Sequence, residues 1–156
     1  MVAWYPLDEQ TGATSVQDIA PPPFSTVSDT GTPLPGPVGS SGPMAVPGKV
    51  GAGALYFFGP YIDVPHSVDV AFAGSFSIDA WIRVVDCGHG GGGALATIVD
   101  KWDPATQTGI SFFVDQPTPA TGWLKLQWNT TVFTSTTTIP TAANPPANMG
   151  PWSTWR

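Results

Sequence analysis

Apolar and polar residues alternate along much of this chain with a period of two, the spacing of half-buried strands. The clearest case is Ser75-Phe76-Ser77-Ile78-Asp79-Ala80-Trp81-Ile82-Arg83-Val84. Phe76, Ile78, Ala80 and Ile82 fall on one face, which predicts the core side. Ser77, Asp79, Trp81 and Arg83 fall on the other. Trp123-Leu124-Lys125-Leu126-Gln127-Trp128 alternates in the same way, with Trp123, Lys125 and Gln127 opposing Leu124, Leu126 and Trp128. Further strands are predicted over 2–7, 94–100, 109–115 and the threonine run 130–139. A hairpin is predicted over 51–64, turned by Gly59-Pro60. The last residues, Trp152 to Arg156, read as the start of another strand. Residues 18–48 carry eight prolines and few large apolar groups, which predicts a long irregular arm. Residues 87–93 (with four consecutive glycines) and 141–151 read as loops, and Lys101-Trp102-Asp103-Pro104 as a turn. No segment reads as a helix, and no internal repeat is evident.

Composition supports an all-β reading. Charged residues make up 10% of the chain, against roughly 25% in an ordinary soluble domain. One Glu and three Lys are too few to coat surface helices. Glycine and proline number 18 each and punctuate the chain at turn-like intervals. At 156 residues a single domain spanning 1–156 is expected, with the proline-rich arm as an insertion.

Charge removes some functions. The net charge is −6 and no basic patch is present, so nucleic acid is not an expected partner. No apolar run reaches the roughly 18 residues of a membrane helix, so membrane insertion is not expected either. Met1-Val2 lead directly into a strand-like segment, with no leader sequence to be read there. Cys87 is the single cysteine, which excludes an internal disulfide. The low-charge, Thr/Gly/Pro-rich surface points to an extracellular or cell-surface location.

Four segments, taken in order, resemble the laminin-G-like branch of the concanavalin A-like lectin/glucanase superfamily. They are Val2-Ala3-Trp4-Tyr5-Pro6-Leu7-Asp8-Glu9, then Gly51-Ala52-Gly53-Ala54-Leu55-Tyr56-Phe57 with Tyr61-Ile62-Asp63-Val64-Pro65, then Gly74-Ser75-Phe76-Ser77-Ile78-Asp79-Ala80-Trp81-Ile82, and Thr97-Ile98-Val99-Asp100-Lys101-Trp102. The resemblance covers most of the chain. It implies an antiparallel β-sandwich of jelly-roll topology, carbohydrate or protein binding, and in many members a calcium ion at the sheet rim. Two features depart from it. A proline-rich insertion follows the first strand, and the chain stops at a segment that normally opens further strands. Roughly a quarter to a third of the sandwich would then be missing, leaving it incomplete. Open sheet edges of that kind invite self-association or pairing with another chain.

Candidate chemistry is sparse. A retaining glucanase needs two carboxylates ~5–5.5 Å apart. Glu9 is the only glutamate, and neither Glu-x-Asp nor Asp-x-Asp occurs. The chain is therefore read as a non-enzyme. Asp79, Trp81 and Arg83 share a face and form a candidate ligand platform, the indole stacking on a sugar and the charges bonding hydroxyls. The competing reading is inter-sheet packing by Trp81 and an ion pair between the other two. Asp100 and Asp103 are candidate calcium ligands, set against ordinary turn chemistry at Asp103-Pro104. Asp8 and Asp18 are weaker candidates of the same type. Cys87-Gly88-His89 with His66 is a poor zinc set, and Asn129-Thr130-Thr131 is a formal glycosylation triplet. The leading expectation is a non-catalytic carbohydrate-binding or adhesion module with a glycan or extracellular protein as partner. The alternatives are a structural subunit completed by neighbouring chains, and a fragment of a glycan-active enzyme.

Overall fold

Among the described residues, the computed structural model has ten strands in antiparallel pairings and no helix. It describes residues 3–20, 29–36, 42–57, 59–72, 74–84, 94–118, 121–140 and 153–155. The protein is therefore all-β, as the alternation and the shortage of charged residues predict, and its antiparallel sheets are of the kind that build β-sandwiches. Contacts divide the chain into two units, Met1–Ile78 and Asp79–Arg156.

The first unit holds β1 (Thr32–Leu34), β2 (Met44–Pro47), β3 (Gly53–Tyr56) and β4 (Tyr61–Asp63). β1 pairs with β4, and β2 pairs with β3. Three expectations change here. The hairpin predicted over 51–64 supplies two strands, but each pairs with a strand from the proline-rich stretch instead of with the other. That stretch is thus not wholly irregular. Pro33 and Pro47 sit in short two-stranded ribbons, where a missing N–H costs least. The strand predicted over 2–7 forms no ladder in its described part. Leu7 has φ of 57°, which turns the backbone out of strand geometry, and Trp4 contributes one carbonyl to Ile19 N–H (2.9 Å). Val16 bridges Gly31 instead and is fully buried.

The second unit is built on a four-stranded meander: β6 (Ala94–Asp103), β7 (Thr108–Thr118), β8 (Thr121–Trp128) and β9 (Thr131–Pro140). These strands lie where the sequence places them; β6, β7 and β8 are longer than expected, and β9 is shifted by one residue. β6 runs through the expected turn at 101–103, and the reversal falls at 104–107 with Gln107 at φ 54°. Asn129 at φ 50° opens the two-residue turn between β8 and β9. Of the long strand predicted over 75–84, only β5 (Ala80–Ile82) is laddered, against β10 (Ser153–Trp155). Phe76 stays partly exposed and meets Phe72 edge-on at 4.9 Å. Ile82 and Val84 pack on Val114 and Ile139, with Ala96, Ile98 and Leu124 alongside, so one face of the meander is covered. The loops expected at 87–93 and 141–151 lie outside the described residues.

Candidate functional site

Strand register determines which side chains share each face of the meander. Ile110, Phe112, Val114 and Gln116 of β7 are buried and point to the covered side. Their partners Leu126 and Leu124 on β8 follow them, as does Ile139 of β9 opposite Gly122. The alternate positions form the opposite face. Ser111, Phe113 and Asp115 there lie beside Gln127, Lys125 and Trp123, and all six are half-buried. β6 adds Leu95, Thr97, Asp100 and Trp102 on one flank, and β9 adds Val132, Thr134 and Thr138 on the other.

Four residues form the centre of this second face. Phe113 lies directly opposite Lys125, and Asp115 directly opposite Trp123. Aromatic and charged groups therefore alternate like squares of a checkerboard. Across one diagonal the Lys125 ammonium donates to Asp115 Oδ2 at 2.5 Å, with side chains 26% and 24% exposed. An ion pair that water still reaches stabilises the fold by at most about 1 kcal/mol. Its chemical value is that a donor and an acceptor are held side by side between two rings. Such a surface matches a sugar, whose C–H face packs on an aromatic ring while neighbouring hydroxyls need both a donor and an acceptor. The alternation of β8 was legible in the sequence. The pairing of Phe113 and Asp115 with Lys125 and Trp123 was not, because register depends on the partner strand.

The residues expected to form a ligand platform lie elsewhere in the same unit. Trp81 is the middle residue of β5, opposite Thr154, and is 46% exposed. It faces away from the core that Ile82 joins. Asp79 is exposed and Arg83 half-buried, and both lie just outside the short ladder.

Asp100 and Asp103 do not come together. Both lie on β6, where the register from Asp100↔Ser111 to Asp103↔Thr108 is regular. An odd separation puts their side chains on opposite faces. Asp103 is instead committed to its turn: Oδ1 accepts from Ala105 N–H (2.9 Å) and Oδ2 from the Thr106 hydroxyl (2.7 Å). Asp103 thus takes part in the turn chemistry weighed against calcium, and its carboxyl does not share a face with that of Asp100. Among the described residues no three His, Cys, Asp or Glu side chains form a metal-holding group. The Thr106 hydroxyl, and then the Ala105 N–H, hold the Asp103 carboxyl below its ordinary value of 3.8. A depressed folded pKa favours the fold above the unfolded value, and that contribution is lost as pH falls through the folded one. Carbon-detected NMR titration should therefore give Asp103 a midpoint below 3.8, moving back toward the ordinary value in Thr106→Ala.

Asp18, one of the weaker acidic candidates, and Glu9 have structural duties in the first unit. Asp18 Oδ1 accepts from Trp4 N–H (2.8 Å) and Ala20 N–H (2.9 Å), and Glu9 Oε1 from Gln17 N–H (3.1 Å). Tyr5 donates to the Asp29 carbonyl at 2.5 Å. Burial, then the nearby charges of Asp18 and Asp29, raise its phenol far above the ordinary value. Asp8 is exposed. A shallow depression bordered by Gln10, Ala13, Pro33, Pro43 and Leu55 has room for little more than a water molecule. Cys87 and His89 lie outside the described residues. Compared with protein-family models, with curated proteins and with solved structures, the chain finds no match in any of the three.

Proposed function

We propose that this chain is a non-catalytic carbohydrate-binding module, of the laminin-G-like jelly-roll kind that its ordered sequence segments resemble, working outside the cell or at its surface. The observation that carries the reading is the β7–β8 quartet, in which Phe113 and Trp123 alternate with the Asp115–Lys125 pair on the half-exposed face of the meander. A pyranose ring laid across it would pack its apolar face on Trp123 or Phe113. Vicinal hydroxyls would then accept from the Lys125 ammonium and donate to the Asp115 carboxylate. Ser111 and Gln127, one register step away, extend the polar surface for a second sugar unit. Trp81 on β5 is the competing platform.

Glycan-array screening followed by calorimetry on the best binder tests this reading. Trp123→Ala should weaken binding roughly 10-fold or more through lost stacking. Lys125→Met keeps the apolar stem and should weaken it by a similar factor. Binding that survives both changes but disappears in Trp81→Ala would move the site to β5. A wild-type chain that binds no glycan on the array would refute the proposal.

A further inference from the structure

The two outer strands of the meander differ in a way that bears on partners. β6 carries Asp100, Lys101 and Asp103, and charges along an edge discourage pairing with another strand. β9 carries no ionisable residue over Thr131–Pro140. Among the described residues no strand pairs with its outer side. Val132 is 50% exposed and Phe133 58%, on opposite faces of the strand.

The strand is protected over only part of its length. Between Lys125↔Thr134 and Trp123↔Thr138, three residues of β9 face one of β8. This bulge is held by Ser135 Oγ, which accepts from Leu124 N–H (3.2 Å) and donates to the Thr137 carbonyl (2.8 Å). A bulge bends an edge away from partners, and Pro140 lacks a donor. Thr131–Thr134, before the bulge, has neither device.

That stretch is complementary to itself. The pair closing a two-residue hairpin is hydrogen-bonded, so Trp128↔Thr131 and Leu126↔Phe133 exchange bonds within the sheet. The backbone N–H and C=O of Val132 and Thr134 then point outward. In a second copy related by a two-fold axis normal to the sheet, Val132 meets Thr134, Phe133 meets Phe133, and about four backbone hydrogen bonds form. The cross-strand pairs are β-branched on β-branched and aromatic on aromatic, both favourable. A chain of net charge −6 repels its own copy over much of its surface, and this uncharged strand lets two copies meet without opposing charges.

We infer that the Thr131–Thr134 edge of β9 is a self-association site, joining two copies antiparallel into one continuous sheet. Such an axis keeps equivalent faces on the same side, so both β7–β8 quartets would face one way. That consequence, bivalent binding, rests on the proposed function; the self-association does not.

Sedimentation equilibrium of the full chain should show reversible dimerisation with Kd of roughly 10–100 μM, the weak range of a small interface. Phe133→Lys and Phe133→Glu place like charges opposite each other across the axis, and each should be monomeric. Mixed in equal amounts, the two should form a heterodimer, a recovery that a merely structural role for Phe133 would not produce. Should either variant fail to fold, Phe133→Cys in a Cys87→Ser background replaces them. Facing residues of a non-hydrogen-bonded pair lie about 4.5 Å apart at Cα, within reach of a disulfide, so oxidation should give a covalent dimer. A wild-type chain still monomeric at about 1 mM, failure of the mixed variants to pair, or failure of the cysteine variant to cross-link would each overturn the inference. Because these readouts use no glycan, failure of the binding proposal and failure of this one are told apart.

Discussion

Gly109→Ala should destabilise the meander by roughly 3 kcal/mol or more. Gly109 has φ of 109°, a region that L side chains rarely adopt. An added Cβ would overlap the Lys101 carbonyl oxygen and lie 3.1 Å from its carbon. Both atoms are backbone within the β6–β7 ladder, so no rotamer change relieves the contact. The residue also ties two hairpins together. Its N–H donates to Asn129 Oδ1 (2.9 Å), and its carbonyl accepts from Asn129 N–H (2.9 Å). Moving Gly109 to make room would disturb the Trp102↔Gly109 pairing and the β8–β9 turn together. Urea unfolding followed by tryptophan fluorescence is a suitable measurement, since six of the seven tryptophans lie in residues 79–156. Asn129→Ala provides the comparison: it removes the side-chain bond alone and should cost about 1 kcal/mol. Equal midpoints for Gly109→Ala and the wild type would be incompatible with this geometry.

Ile139→Ala should cost roughly 2–5 kcal/mol, the range for truncating a buried aliphatic side chain. Ile139 is 1% exposed and lies opposite the buried Gly122, which has no side chain to move into the space left behind. It belongs to the cluster with Val84 and Val114, against which Ile82 of β5 packs. The loss should therefore loosen β5 as well as β9. Hydrogen exchange would report this as faster exchange at Ala80–Ile82 and in the β9 ladder. Val132→Ala, at a half-exposed position of the same strand, should change stability by no more than about 0.5 kcal/mol. Similar losses from the two substitutions would mean that the covered face has been assigned wrongly.

Both results bear on how far a pattern of residues specifies this fold. Local pattern located β6 to β9, although the bulge between Thr97 and Val99 switches which side of β6 meets which environment. It failed over 75–84, where equally regular alternation yields only a three-residue ladder in Ala80–Ile82. A strand needs a partner as well as a pattern, and the partner of β5 is the short β10. It failed again in the first unit. The proline-rich stretch supplies β1 and β2 because β4 and β3 lie beside them, a pairing that proline content alone argues against.

The candidate site divides along the same line. Trp81 could be singled out because an indole on a polar face is conspicuous within one strand. The Asp115–Lys125 pair could not, since its members are ten residues apart and meet only through the register of β7 on β8. Asp100 and Asp103 show the same dependence: they are close in sequence, and the strand sends the two carboxyls to opposite faces.

The sequence by itself determined that this protein is all-β and where the meander strands run. Those properties follow from local composition and a period of two, which every residue carries with it. Tertiary structure alone decided which strands pair, that Phe113, Asp115, Trp123 and Lys125 form one surface, and that β9 presents an uncharged edge. These depend on register between segments distant in the chain, and a shift of one residue would send each of those side chains to the other face.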